Sequence, residues 1–250
     1  MTHPLYGSLF NAKTVVITGA GRGIGRAVLD EFHAAGATVI AHLGRSAENA
    51  DPLADDINSF CSDFTTPQGQ QAFIDHVNQH TDKVDVLINN AGTMFGRFPA
   101  DTLTDEQYEM IIELNQSAVV RITRAMLPLL KTADKASIIN TVSISASTGG
   151  SPGSSIYSAS KAFVSTYSRG LARELAPFGI RVNAVSPGVI DTDFHGRYSS
   201  KEKLEATRLQ IPLQRLGTSQ DCAPAFMFFA ADELSGYITG QVLEINGGQR

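Results

Sequence analysis

Short β-branched runs alternate with longer stretches of helical periodicity along the chain, the pattern of parallel strands joined by crossover helices. The runs predict strands near Thr14 to Thr18, Thr38 to His42, Ser59 to Ser62, Val84 to Asn89, Ala136 to Ser143, Arg181 to Ser186 and Gln241 to Ile245. Helical spacing covers Gly23 to Ala35, Pro67 to His80, Asp105 to Leu130, Ile156 to Ala176 and Ser219 to Ala231. Val15-Val16-Ile17 and Val86-Leu87-Ile88 carry no polar interruption, as strands covered by helices on both faces do. The expectation is one α/β domain over residues 1–250, a doubly wound sheet of seven parallel strands with helices on both faces. No Pro/Gly/Ser linker and no internal repeat divides it. Asp51 to Ile57 predicts one or two helical turns at most. Ser199 to Gln210 is charged and helical, lies outside the strand–helix alternation, and predicts a lid over residues 191–215.

Composition narrows the partners. In 250 residues the hydrophobic share is 42% and the charged share 18%, which fits a folded globular chain. Twenty basic against 25 acidic side chains leave a net charge of −5, so no general positive field favours nucleic acid or anionic lipid. The longest uncharged stretch, Ala136 to Ser160, is loaded with Ser, Thr and Gly and predicts no membrane span. Met1 to Lys13 lacks the pattern of an export signal, and Cys61 and Cys222 form no paired motif. A cytoplasmic protein is expected.

Thr18-Gly19-Ala20-Gly21-Arg22-Gly23-Ile24-Gly25 follows the first strand and opens the first helix. There a glycine turn brings backbone N–H groups and a helix N-terminus to a pyrophosphate, the dinucleotide site of a Rossmann-type domain. Gly19, Gly23 and Gly25, with Arg22 and Ile24 between them, are the candidate cradle. An NAD site places an acid about 20 residues further on, yet no Asp or Glu occurs between Glu31 and Glu48. The second strand ends instead in His42-Leu43-Gly44-Arg45-Ser46, where Arg45 and Ser46 suit a 2′-phosphate. NADP(H) is therefore preferred, with NAD(H) the alternative. Tyr157 and Lys161 stand four apart at the start of a helix, hence on one face. A free phenol is a poor acid or base near neutrality, and a neighbouring ammonium is expected to lower its pKa.

Gly19 to Gly25, Asn89-Asn90-Ala91-Gly92, Asn115, Ser143, Tyr157 with Lys161, and Ser186-Pro187-Gly188 together resemble the short-chain dehydrogenase/reductase family, in order and spacing over nearly the whole chain. The C-terminal Ile238-Thr239-Gly240-Gln241 and Asn246-Gly247-Gly248 resemble the branch that contains 3-oxoacyl-carrier-protein reductases and glucose or steroid dehydrogenases. The resemblance implies Tyr157 as proton donor in reduction and Ser143 as hydrogen-bond partner of the substrate oxygen. It implies Lys161 on the nicotinamide ribose and Asn115, in a kinked helix, holding a water of a proton relay. Asp63 is implied beside adenine, Asn89, Ala91 and Gly92 along the cofactor, and Pro187, Gly188, Val189 and Thr192 over the nicotinamide side. No metal is required. Ser143 lies 14 positions before Tyr157 and Ser145 lies 12 before it, where the family serine stands 13 before. Ser143 aligns better with Ile138-Ile139-Asn140, and Ser145 remains the alternative.

His76 and His80 share a helical face, but no third ligand accompanies them, and a solvated face is expected. His195 and Arg197 lie between the Pro-Gly turn and the lid, as substrate neighbours or as plain loop charges. Met94, Phe95 and Phe98 are candidates for an apolar pocket wall or for packing beneath their loop. Ala118, Val119, Val120, Ile122, Met126, Leu127 and Leu129 form a band wider than one sheet-facing stripe needs; with the resemblance, this predicts a homotetramer. The reading is an NADPH-dependent enzyme that reversibly reduces the carbonyl of a small-molecule substrate, a 3-oxoacyl compound or small ketone. An NAD-dependent alcohol or sugar dehydrogenase and a non-catalytic NADP-binding sensor are the alternatives.

Overall fold

The computed structural model describes residues 6–48, 50 and 52–249, without the His195 side chain. Among these residues, seven strands form one parallel sheet: β1 (Thr14–Thr18), β2 (Thr38–His42), β3 (Asn58–Phe60), β4 (Val86–Asn89), β5 (Ala136–Thr141), β6 (Ile180–Pro187) and β7 (Val242–Ile245), in the order β3-β2-β1-β4-β5-β6-β7. The order reverses between β1 and β4, and such a switch point opens a crevice at the carboxyl ends of the strands. Thr18 pairs in register with both His42 and Asn89, so these three residues stand together at that edge.

Alternate strand residues feed two opposite cores, the period-two geometry of a strand. Val15, Ile17, Val86 and Ile88 face α1 (Gly23–Ala34) and, beyond the middle of the chain, Ser219–Ala230. Val16, Leu87, Ile138 and Val182 face α2 (Pro67–His80) and the helices that begin at Ala118 and Ser155. β5 and β6 are buried along their whole length, while the edge strands β3 and β7 contain half-buried and exposed positions.

The stretch from Asp105 to Leu130 is not one helix. It divides into α3 (Asp105–Ile112), a π-helical turn (Glu113–Ser117) and α4 (Ala118–Leu130). The third strand is Asn58–Phe60 rather than Ser59 to Ser62; Ser62 N–H leaves the ladder for the Gly44 carbonyl. Residues 52–57 form a turn and not the helix expected there; Asp51 lies outside the described residues. Three short helices were not anticipated: α5 (Ser145–Thr148), α7 (Asp193–Tyr198), and Asp232–Ser235 near the end of the chain. The remaining helices are α6 (Ser155–Leu175), α8 (Lys201–Gln210) and α9 (Ser219–Ala230), with α10 (Asp232–Ser235) last. No described helix is long and apolar enough to cross a membrane.

Candidate active site

Side chains cap most of the longer helices that meet the crevice or flank it. Thr66 accepts from Gly69 N–H at the start of α2, and Thr104 with Gln107, and Thr218 with Asp221, form capping boxes on α3 and α9. At the N-terminus of α1, as at that of α6, no side chain caps the helix: Arg22 makes no capping hydrogen bond there. Unspent N–H groups at a helix start are a site for an anion. Gly19 has a φ of 68°, and a Cβ on it would stand 2.7 Å from the Ala91 backbone; a Cβ on Gly25 would collide with the Gly19 carbonyl oxygen. Only glycine allows this turn to pack against its strand and its neighbour.

Buried polar groups hold the turn from below. Thr18 Oγ1 accepts from Asn90 and Ala91 N–H at 3.0 and 3.1 Å, and Asn90 Nδ2 donates to the Gly19 carbonyl at 3.0 Å. His42 stacks on Phe64 with ring centroids 3.6 Å apart. Its Nδ1 faces Gly19 N–H at 3.4 Å and its Nε2 faces the Ser62 carbonyl at 2.9 Å, which selects the neutral Nε2–H tautomer. Burial pushes its pKa down to about 4.

One cavity of about 750 Å³ runs from this turn past β4 and β5 to α7 and α8. Of the sequence-predicted residues, Gly19, Arg22, Gly23, Ile24, Gly25, Arg45, Asp63, Ala91, Gly92, Ser143, Tyr157, Lys161, Pro187, Gly188, Val189 and Thr192 line it. Three do not. Ser46 is exposed outside the wall. Asn89 turns into the protein, donating to Thr123 Oγ1 and to Asn140 Oδ1 at 3.0 and 2.8 Å, because the alternation along β4 sends it away from the crevice. Asn115 lies fully buried behind Gly92. Arg45 is exposed at the rim; Arg22 stands 3.6 Å from Asp193. Asp63 Oδ1 accepts from Thr65 N–H and Oγ1 at 2.9 and 2.7 Å.

At the other end Tyr157 and Lys161 share the inner face of α6. Ser143 stands beside the Tyr157 phenol and favours its ionised form, and Ser145 Oγ donates to Ser143 Oγ at 3.0 Å, so Ser145 stands further back. Lys161 Nζ donates to the Thr141 carbonyl at 2.9 Å and lies 5.9 Å from the centre of the Tyr157 ring. Asn115 Nδ2 donates to the Thr93 and Ile111 carbonyls at 2.8 and 2.9 Å. Its Oδ1 has no hydrogen-bond partner among the described residues. A Cβ on Gly92 would stand 2.7 Å from that oxygen and 2.9 Å from Lys161 Nζ, so the missing side chain keeps a polar gap open between them.

The expected lowering of the Tyr157 pKa is not found: its net shift is upward. Burial pushes the phenol up to about 12, against the opposing effect of Ser143, and burial pulls the Lys161 ammonium down to about 8. Each charged form loses water, and that loss sets the direction of both shifts. The phenol is therefore protonated, and so a donor, across the neutral range.

The family model described as Enoyl-(Acyl carrier protein) reductase matches residues 19–250. The chain belongs to the short-chain dehydrogenase/reductase family. This short-chain dehydrogenase/reductase is an oxidoreductase. It is 36% identical over 242 residues to the 3-oxoacyl-[acyl-carrier-protein] reductase FabG of Salmonella typhimurium, covering 96% of this chain and 98% of that one. Among solved structures it is similar to the NADH-dependent reductase A1-R′ responsible for alginate metabolism, with a TM-score of 0.85, 33% identity, and 97% and 99% of the two chains covered. A Beutenbergia cavernae protein described as an NAD(P) dependent gluconate 5-dehydrogenase, with bound NADP, gives a TM-score of 0.87 at 32% identity over 97% and 98% of the chains.

The residues of this short-chain dehydrogenase/reductase fit a nicotinamide dinucleotide: an uncapped helix start and a glycine turn at one end of the cavity, and a polar gap beside Lys161 and Asn115 at the other. Sequence reasoning missed several residues of the site. Asn90 and His42 buttress the turn; Phe194 lies 5.9 Å from the Tyr157 ring, and Tyr198 OH lies 3.0 Å from Thr93 Oγ1. Asn90 is legible in the sequence, inside Asn89-Asn90-Ala91-Gly92. Phe194 and Tyr198 carried no local signal.

Proposed function

We propose that this enzyme reduces the carbonyl of a small or acyl-linked substrate to an alcohol with NADPH, reversibly, with Tyr157 giving the proton. The observation that carries the reading is the joining, in one cavity, of an uncapped glycine turn with a half-buried, protonated Tyr157 that stands beside Ser143 and Lys161. A bound nicotinamide dinucleotide supplies the hydride. Ser143 orients the phenol and the substrate oxygen together. Tyr157 Oη donates to that oxygen as negative charge develops on it, and a phenol held near 12 suits donation better than abstraction at neutral pH. Lys161, fixed by the Thr141 carbonyl, keeps a cation beside the developing charge. Asn115 Oδ1 and Lys161 Nζ face the same gap behind Gly92, the place for a water that returns a proton to Tyr157. The segment 191–215, with Phe194 and Tyr198 over Tyr157, acts as a lid on a single catalytic domain.

Tyr157→Phe is expected to lower turnover by about 100-fold or more while NADPH affinity stays within several-fold, because the glycine turn lies at the far end of the cavity. Normal turnover in that variant, read by coenzyme absorbance with a panel of ketones, overturns the assignment. NADPH over NADH rests on the absent acid after β2 and on Arg45 at the rim. Arg45→Ala is expected to raise Kd for NADPH by about tenfold and to leave that for NADH nearly unchanged; equal effects overturn the preference. The 3-oxoacyl relative supports a 3-oxoacyl substrate, and the two cysteines, both free, suit a reducing cytoplasm. We also propose a homotetramer built on the α4 and α6 faces.

A further inference from the structure

We propose that the substrate carries an ionised acid group and that Arg97, Arg197 and Lys203 receive it at the mouth of the cavity beyond Tyr157, so that the enzyme selects an anionic carbonyl compound over a neutral one of similar size. The inference rests on the carbonyl-reductase reading above and names the substrate class of that same site. The three cations come from three places in the chain, the loop after β4, the lid helix α7 and the first turn of α8, and all three line the cavity. Their convergence is therefore a product of the fold and not of a basic run in the sequence. It also runs against a chain whose net charge is −5.

None of the three is in an ion pair among the described residues. Arg97 Nε donates to the Tyr198 carbonyl at 3.1 Å and its Nη1 to the Pro152 carbonyl at 3.2 Å. Both partners are neutral, and a guanidinium has five N–H donors, so its Nη2 edge is unspent. Arg197 Nε donates to the Asp193 backbone carbonyl at 3.1 Å, again without meeting a carboxylate. Of the carboxylates that line the cavity, Asp63 accepts from Thr65 near the glycine turn, and Asp193 faces Arg22. Cations gathered without counter-charge in a cleft repel one another, and a bound anion relieves that repulsion. Lys203, exposed at the rim, feels that charge, since partial loss of water and the Arg97 guanidinium both hold its ammonium below the ordinary lysine pKa.

The geometry ties this group to the chemistry. Arg97 bridges the carbonyls of Tyr198 and Pro152, one at the end of the lid helix and one just before α6, while Phe194 of the same lid helix lies against Tyr157. An acid group held there leaves the rest of a short substrate to reach Tyr157 and Ser143.

The test compares kcat/KM for matched pairs on the intact enzyme: 4-oxopentanoate and a 5-oxo sugar acid, each against its neutral amide, and S-acetoacetyl phosphopantetheine against S-acetoacetyl pantetheine. The anionic member is expected to be preferred about 10- to 100-fold, with the preference shrinking as salt is added. The first two pairs report a carboxylate near the ketone; a preference confined to the third puts the anion a whole pantetheine arm from the ketone and overturns the short-substrate geometry. Lys203→Gln is expected to collapse the anion-to-neutral ratio and Lys203→Arg to restore most of it. Arg97→Gln also frees the lid, so both members of a pair are expected to slow, and the ratio is again the quantity read. Equal kcat/KM within every pair, or a ratio unmoved by Lys203→Gln and Arg97→Gln together, overturns the inference even though the enzyme reduces ketones. Failure to reduce either member of any pair or any neutral ketone overturns the carbonyl-reductase reading itself.

Discussion

At the scale of single residues, the site combines groups whose ordinary ionisation is suppressed. His42 shows the consequence for stability. Its ring stays neutral in the folded protein because it is buried against Phe64 and Phe73 and because Nδ1 faces an N–H, with its pKa near 4 against 6.5 when free. Between those values the unfolded chain binds a proton that the folded chain refuses, so stability is full above pH 6.5 and falls as the pH drops through 4. The shift corresponds to about 3 kcal/mol in total. Urea unfolding at pH 7 and at pH 4.5 is expected to show most of that loss in the native protein and much less in His42→Gln. Equal losses in the two proteins would mean that the ring is protonated without penalty. None of this was legible in the sequence, where His42 read only as the last residue of a strand. Tyr157 and Lys161 were legible as a pair through their spacing, yet the direction of the phenol's shift was not, because burial of both groups is a tertiary property.

At the scale of elements, strands and most helices followed from periodicity, and the departures cluster where a side chain intervenes in the backbone. The uniform apolar pattern from Asp105 to Leu130 reads as one helix, but the Asn115 amide takes the Ile111 and Thr93 carbonyls and a π-helical turn opens around it. Such turns recur at functional sites, and here the widened turn carries Asn115 Oδ1 to the gap behind Gly92. Asn115→Ala leaves both carbonyls without that donor and is expected to cost about 1–3 kcal/mol of stability and to lower kcat more than it raises KM. Unaltered unfolding free energy would show that the amide does not hold the turn. The helix at Ser199 to Gln210 was visible as a charged helical insertion, whereas α7 was not: His195, Gly196 and Arg197 give it no apolar stripe. Its Phe194 and Tyr198 acquire partners only in the folded chain.

At the scale of the molecule, the crevice at the β1/β4 reversal puts the glycine turn and the phenol in one cavity, and the helices that support the phenol also face outward. In α4, Val119, Ile122 and Met126 are consumed by the protein's own core, and Val120, Leu127 and Leu129 remain half-buried. The adjacent surface of α6 carries Phe163, 37% exposed, stacked on Tyr167 with centroids 5.8 Å apart, and Tyr108 on α3 is exposed as well. A second copy would remove these aromatic rings from water and stiffen the helix that positions Tyr157 and Lys161, which links assembly to catalysis through α6. Light scattering of the native protein is expected to give about four times the 26.7 kDa of the chain. Phe163→Glu, which places a charge in that face, is expected to lower the mass by a half or more and to lower kcat with it. A native mass equal to that of a single chain would refute the tetramer, and a dissociated variant with undiminished kcat would separate assembly from the placement of Tyr157.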